Sequence, residues 1–210
     1  MTGKPGKVIG ILLAGGLARR MGGGDKCMQL LGGKPLLQHL IDAAKPQVDR
    51  LILNANGDLS RFDAFGLPTV ADTIDGYAGP LAGVLTGLDW AAENEPDAQW
   101  VMSFATDAPF VPDDLVARLL AAIDEQGAEL ACAVSNGRMH PVFGLWPLAL
   151  RDELRTAMLD EDMRKIDAWT ARYKLAQVEF DASGGVDPFF NVNRPENLEE
   201  AERILTEGVG

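Results

Sequence analysis

Three cationic side chains and several glycines stand close together near the start of the chain. An uninterrupted apolar run, Val8 to Leu13, leads into a glycine-rich segment that contains Arg19, Arg20 and Lys26. Glycine permits positive φ and lets backbone N–H groups approach a ligand closely, while arginine and lysine add positive charge at the same place. This combination predicts a loop that binds a polyphosphate.

The two common phosphate-loop motifs do not fit this segment. G-x-x-x-x-G-K-[ST] fails because Lys26 is followed by Cys27, and G-x-G-x-x-G does not occur in the segment. The prediction therefore depends on a longer pattern, L-A-G-G-x-x-x-R-M-G-x-x-D-K, which begins at Leu13 and ends at Lys26. We call the part from Ala14 to Lys26 the phosphate-binding loop.

A single aspartate follows another apolar run in the middle of the chain. Asp107 comes two residues after the run Trp100 to Ala105 and two residues before Pro109. A magnesium ion bound to phosphates keeps several waters and needs only one or two protein carboxylates, so one aspartate is sufficient. Asp107 is thus the predicted metal ligand, and helix capping or an Asx-turn is the alternative role.

The order of elements predicts how these residues are brought together. Apolar runs typical of buried strands alternate with helical patterns, which predicts an α/β fold whose mostly parallel sheet is covered by helices on both faces. Ligands in such folds bind beyond the carboxyl ends of the strands. The residues that follow predicted strands, and should converge at one edge, are the phosphate-binding loop, Asn54, Asp72 and Asp107.

The remaining boundaries follow from the same patterns. Further strands are predicted at Leu51 to Leu53, Leu130 to Val134, Pro141 to Trp146 and Leu175 to Phe180. Helices are predicted at Leu36 to Ala44, Leu81 to Ala92, Asp113 to Glu125, Leu148 to Met158, Met163 to Arg172 and Pro195 to about Leu205. Ser135 to His140 is predicted as a polar connection that contains the turn pair Asn136-Gly137. The simplest organisation is one domain over residues 1–210, with a flexible N-terminus at 1–7 and a fraying C-terminus at 207–210.

Composition narrows the class of protein. The 19 basic and 31 acidic residues give a formal net charge of −12, which argues against a nucleic-acid partner. No apolar stretch is long enough to span a membrane, so the sequence predicts no membrane partner and a cytoplasmic location. Cys27 and Cys132 suggest neither a metal site nor a disulfide framework, although Cys27 lies close enough to the loop to be open to modification.

Several motifs together resemble the molybdenum cofactor guanylyltransferases, which transfer GMP from GTP to molybdopterin. Besides the loop pattern, they are Asn54-Ala55-Asn56, Asp72, Gly79-Pro80-Leu81-Ala82-Gly83, Thr106-Asp107-Ala108-Pro109, His140-Pro141 and the run Asn191 to Leu198. The resemblance implies a three-layer, Rossmann-like nucleotidyltransferase fold, Mg²⁺ as cofactor, and GTP with molybdopterin or Mo-molybdopterin as substrates. It also implies other cofactor-biosynthesis proteins and apo-molybdoenzymes as partners.

The same resemblance implies roles for individual residues. Nucleotide contacts are implied for Leu13, Ala14, Gly15, Gly16, Lys26, Asn54, Asp72 and Asp107. Lys26, Arg20 and Asp107 are the predicted catalytic residues, and Asp107 also holds the magnesium ion. Asn191 and Asn193 stand where cytidylyltransferase relatives typically have aspartates, so we assign them to the pterin substrate, with turn and capping work as the alternative. His140 is either a further substrate contact or a structural residue.

Some alternatives stay open on the sequence alone. The chain could be a cytidylyltransferase that acts on molybdopterin or on a sugar or polyol phosphate, or a non-catalytic carrier of nucleotide or pterin. A carboxylate can accept both N1–H and N2–H of guanine, and either Asp72 or Asp75 could supply it. Gly79, Gly83 and Gly87 form a bare strip on one helix face, which would let a ribose or another helix approach closely.

Overall fold

A seven-stranded sheet forms the centre of the computed structural model, which describes residues 6–15, 25–74, 76, 79–182 and 185–207. The strands are β1 (Lys7–Leu13), β2 (Leu30–Leu31), β3 (Lys34–Pro35), β4 (Arg50–Asn54), β5 (Thr69–Val70), β6 (Ala98–Ala105), β7 (Leu130–Ser135), β8 (Arg138–Pro147) and β9 (Leu175–Glu179). The α-helices are α1 (Leu36–Ala44), α2 (Pro80–Asn94), α3 (Leu115–Gln126), α4 (Arg151–Asp160), α5 (Ile166–Thr170) and α6 (Pro195–Glu207).

The sheet is mostly parallel, as the alternating pattern predicts. Its strand order is β5-β4-β1-β6-β8-β7-β9, and β2 pairs with β3 in a separate two-stranded sheet. Within the larger sheet, β8 runs antiparallel to both β6 and β7, and the other pairings are parallel. The strands β1, β4 and β6 therefore end at the same edge, beside the residues assigned to nucleotide and metal.

The two faces of β1 supply two separate cores. Val8 and Leu12 belong to the cluster that includes α1 and α3, whereas Ile9 and Ile11 belong to the cluster that includes α2, α4 and α5. Alternate residues of a strand point to opposite faces, and none of these four is more than 4% exposed. The uninterrupted apolar run at this strand thus reflects burial on both sides, and the three-layer arrangement is confirmed.

Helix α2 lies against the sheet along its glycine strip. A Cβ added at Gly83 would lie 2.6 Å from both Asn54 Oδ1 and Leu13 Cδ2, and one added at Gly87 would lie 3.0 Å from two atoms of Ile11. These two glycines thus let the helix approach β1 and β4 closely. The glycine strip therefore packs on the sheet at these two positions, and not on another helix. Gly83 also lets the start of α2 lie close to the carboxyl ends of β1 and β4.

Two predicted boundaries need correction. The connection predicted at Ser135 to His140 is only two residues long, because Asn136 and Gly137 both take positive φ (49° and 71°) and form a tight hairpin between β7 and β8. His140 is therefore a strand residue. The helix predicted from Met163 starts only at Ile166, because Asp162 has φ 55° and the chain turns there.

Two residues that were predicted to belong to the chain ends, Lys7 and Glu207, lie in regular elements. Lys7, predicted within the flexible N-terminus, is the first residue of β1, and its ammonium pairs with Glu95 at 2.6 Å. Helix α6 continues to Glu207. Across the described ranges, no helix combines the length and the apolar content that crossing a membrane requires.

Candidate active site

Hydrogen bonds tie together the carboxyl ends of the three central strands. The amide of Ala14 donates to the carbonyl of Asn54 at 2.9 Å, and the hydroxyl of Thr106 donates to the carbonyl of Leu13 at 3.1 Å. These bonds fix the start of the phosphate-binding loop against its neighbours on both sides. Within the loop, Gly16, Arg19 and Arg20 lie outside the described residues.

Lys26 and Asp107, which are distant in sequence, meet at this edge. The Lys26 ammonium donates to Asp107 Oδ2 at 2.5 Å, and the two side chains are only 12% and 24% exposed. The ammonium also donates to Asn193 Oδ1. The predicted convergence of the loop and the aspartate is confirmed, and Asn193 joins them from near the C-terminus.

The segment from Asp187 to Asn193 reaches the same point through its backbone. The amide of Val192 donates to the carbonyl of Asp107 at 2.8 Å, and the Val192 side chain is fully buried. Asn193 is thus held where its side-chain oxygen accepts from the Lys26 ammonium. In the part of the chain that the structure describes, the buried Oδ1 of Asn191 has no hydrogen-bond partner.

A second polar cluster surrounds Asp72. Its Oδ1 accepts from the Asn54 side-chain amide at 2.9 Å, and its Oδ2 accepts from that of Asn56 at 2.7 Å. The Asn56 side chain also accepts from the backbone amide of Asp72 at 2.9 Å. Asn54 and Asp72 are brought together as predicted, and Asn56, which the motif contains without an assigned role, holds the carboxylate. Asp75 lies outside the described residues.

An ion pair that sequence reasoning missed joins Asp25 to Arg61. Arg61 Nε donates to Asp25 Oδ2 at 2.5 Å, and Nη2 donates to Oδ1 at 3.2 Å. Arg61 lies in the 3₁₀-helical segment Leu59–Phe65, outside the quoted motifs. No sequence signal could have identified it, because its role depends on how that segment folds back towards Asp25.

His140 is part of a buried network. Its Nε2 lies 2.8 Å from Ser135 Oγ, the Ser135 hydroxyl donates to Asp187 at 2.7 Å, and the ring packs on Phe189 with centroids 4.9 Å apart. The side chain is 9% exposed. These contacts favour the structural role that the sequence left open, since they hold the start of the 187–193 segment.

The stability of the fold should depend on this histidine below neutral pH. Burial lowers the pKa of His140, although Asp187 opposes the effect. The unfolded chain then binds a proton that the folded chain excludes, so the free energy of unfolding should fall as the pH drops below about 6.5. We expect His140→Gln to show a shallower fall between pH 7 and pH 5 in urea titrations. Parallel curves for the variant and the wild type would contradict this role.

Cys27 is less accessible than its position in the sequence suggests. It is 2% exposed, and burial raises the pKa of its thiol to about 12. Burial likewise raises the pKa of Cys132 to about 11. The thiolate is the reactive form, so both thiols should resist Ellman's reagent at pH 8 and react only after guanidinium is added. Release of one equivalent of chromophore from the native protein would contradict the assignment of Cys27 as a packing residue.

The donor set at Asp107 fits a divalent cation that is also bound to phosphates. The carboxylate of Asp107 and the side-chain oxygen of Asn193 both accept from one positively charged group, the Lys26 ammonium. Oxygen donors of this type suit Mg²⁺. No group of three or more His, Cys, Asp or Glu side chains that could hold a metal occurs among the described residues. A metal held here would therefore take most of its ligands from substrate and water.

Comparison with known proteins identifies close relatives. Residues 10–177 match the family described as the MobA-like NTP transferase domain. A molybdenum cofactor guanylyltransferase of Bradyrhizobium sp. (strain ORS 278) is 55% identical over 197 residues, which are 94% of this chain and 92% of that protein. Another, of Rhodopseudomonas palustris (strain BisB5), is 55% identical over 194 residues, 92% of each chain.

The fold also matches solved structures. Molybdopterin-guanine dinucleotide biosynthesis protein A from Archaeoglobus fulgidus superposes with a TM-score of 0.74 over 95% of this chain and all of that chain. The two sequences are 20% identical, so this likeness shows the shared fold.

Proposed function

Because this chain belongs to the molybdenum cofactor guanylyltransferases, a family of nucleotidyltransferases, we propose that it transfers GMP from GTP to molybdopterin and releases pyrophosphate. The observation that carries the proposal is the meeting of Lys26 and Asp107 at 2.5 Å at the carboxyl edge of the sheet. A loop cation beside a carboxylate is what a metal-assisted phosphoryl or nucleotidyl transfer requires.

The reaction is an in-line displacement at the α-phosphorus of GTP. A terminal phosphate oxygen of molybdopterin forms the new P–O bond, and the bond from the α-phosphorus to the bridging oxygen of pyrophosphate breaks. A phosphate monoester is largely ionised at neutral pH, so the site needs no general base. This agrees with the placement of His140 in a buried structural network.

The residues of the edge then have distinct tasks. Lys26 exchanges its present partners for phosphate oxygens and neutralises charge as pyrophosphate leaves, together with Arg20 and the backbone amides of Gly15 and Gly16. Asp107 holds the divalent metal that this family uses, which we assign as Mg²⁺. Bound there, such an ion would supply Lewis-acid neutralisation of the phosphate charge.

The two polar clusters supply specificity in this proposal. Asp72, fixed by Asn54 and Asn56, is the candidate acceptor for the N1–H and N2–H donors of guanine. Asn191 and Asn193 are assigned to the pterin, and the buried Oδ1 of Asn191, which has no hydrogen-bond partner among the described residues, supports a ligand contact there. The cytoplasmic location and the partner proteins that the resemblance implies stay predictions.

Competition between nucleotides tests the function directly. Pyrophosphate release is measured with GTP or CTP, Mg²⁺ and molybdopterin, and the pterin product is identified by mass spectrometry. We expect release with GTP that requires both metal and molybdopterin. A preference for CTP would make the chain a cytidylyltransferase, and nucleotide binding without release would make it a carrier.

A further inference from the structure

We propose that Arg61 is a positioning residue, which holds the Asp25-Lys26 end of the phosphate-binding loop in its working place. It acts through Asp25, and its own side chain has no part in the transfer. The inference rests on the proposed function because it takes the ligand of Lys26 to be the triphosphate of GTP.

The contact between the two side chains fixes orientation as well as distance. Arg61 binds Asp25 with two nitrogens, Nε at 2.5 Å and Nη2 at 3.2 Å, one to each carboxylate oxygen. The side chains are 29% and 14% exposed, so water screens the pair only in part. A bidentate arginine–carboxylate pair is among the most geometrically specific of protein contacts.

Arg61 is anchored independently of Asp25. Its Nη2 donates to the carbonyl of Asn56 at 2.9 Å, and its Nη1 donates to the carbonyl of Asp58. The guanidinium also lies 4.5 Å from the ring centroid of Phe62, which is fully buried. With three such anchors the arginine is the fixed partner, and the loop end carrying Asp25 is the part held.

The same arginine connects the two clusters of the site. Its partner Asn56 binds Asp72 through both a donated and an accepted hydrogen bond, at 2.7 Å and 2.9 Å. A continuous path of polar contacts therefore runs from Asp25 through Arg61 and Asn56 to Asp72. The path links the predicted phosphate side of the site with the predicted base side.

Charge gives Arg61 a second effect. Asp25 is an acidic residue within the loop that must attract a triphosphate, in a chain whose formal net charge is −12. Arg61 compensates that anion directly. Its removal should weaken GTP binding through the uncompensated carboxylate and slow the transfer through the released loop end. The two effects can be separated by also neutralising Asp25.

The experiment compares Arg61→Ala, Arg61→Lys and the double variant Asp25→Asn/Arg61→Ala with the wild type. The matched control is Arg172→Ala, because Arg172 also binds a carboxylate with two nitrogens (Glu161, 2.5 and 3.3 Å) and lies over an aromatic ring (Trp169, 5.4 Å). Each variant is assayed for pyrophosphate release, for the Kd of a fluorescent GTP analogue, and for its thermal midpoint.

We expect Arg61→Ala to lose roughly 10- to 100-fold in kcat/KM for GTP, since small displacements of catalytic groups have effects of this size. Arg61→Lys should recover part of the loss, and the double variant should recover KM while kcat stays low. Arg172→Ala should remain within about twofold of the wild type, as expected for a surface ion pair.

Three results would overturn the role of Arg61. They are wild-type kinetics in Arg61→Ala, an equal loss in Arg172→Ala, and a loss that merely follows the folded fraction measured by thermal unfolding. If the wild type itself releases no pyrophosphate, the proposed function fails. The Kd of the GTP analogue then tests the role of Arg61 by itself. An unchanged Kd in Arg61→Ala overturns that role, and a higher Kd supports it.

Discussion

Lys26→Met is expected to lower kcat for pyrophosphate release by about 100- to 1,000-fold, the usual cost of removing one group that stabilises transition-state charge. Methionine keeps the length of the side chain and removes the ammonium that now contacts Asp107 and Asn193. The fold should persist because the Asp107 side chain, which is 24% exposed, can be solvated once its partner is gone. Single-turnover kinetics and the thermal midpoint measure the two effects separately.

Lys34→Met is the control for this variant. Lys34 also pairs with an aspartate at 2.5 Å, but its side chain and that of Asp42 are 43% and 51% exposed, and the pair lies in another part of the chain. Exposed pairs contribute little to stability, and no role in the site is assigned to this one. A Lys26→Met enzyme with the turnover of Lys34→Met would remove Lys26 from the mechanism.

Asp107→Asn should have the second large effect. The substitution keeps the shape of the side chain and removes the one carboxylate that we assign to the metal. We expect a loss of about 100-fold in kcat/KM, or ~2.7 kcal/mol of transition-state stabilisation, together with a higher requirement for Mg²⁺. Initial rates measured over a magnesium titration distinguish weaker metal use from weaker nucleotide binding.

Asp114→Asn controls for the general loss of one negative charge. Asp114 pairs with Arg118 at 3.9 Å on the surface, and its side chain is 55% exposed. Its replacement should leave the magnesium dependence unchanged. An Asp107→Asn variant whose magnesium curve coincides with that of Asp114→Asn would exclude Asp107 as the metal ligand.

Much of the fold follows from local patterns because burial leaves a direct trace in the sequence. Apart from Lys7 and Gly10, every residue of β1 has an apolar side chain, because the strand lies between two cores. Pro80 marks the first turn of α2, where its missing N–H costs nothing. The meeting of Lys26 and Asp107 follows from the rule that parallel strands end at one edge of the sheet.

Other features depend on tertiary contacts that no local pattern carries. Arg61 lies in a short segment that matches no motif, and it gains its partner only when that segment folds back against Asp25. The sequence pattern places His140 in a polar connection. Because Asn136 and Gly137 take positive φ, the turn is only two residues long, and His140 is a buried strand residue. The later start of α5, at Ile166, likewise depends on the positive φ of Asp162, which a helical pattern in the sequence does not reveal.

The contact between Lys26 and Asn193 has a consequence for protein synthesis. The two residues are 167 positions apart in the sequence. Val192, in the same segment as Asn193, donates a backbone hydrogen bond to Asp107. A nascent chain can pair β1 with β4 and β6 long before residues 187–193 leave the ribosome. This edge of the sheet therefore cannot be completed until residues 187–193 have been synthesised and have folded back onto Lys26 and Asp107.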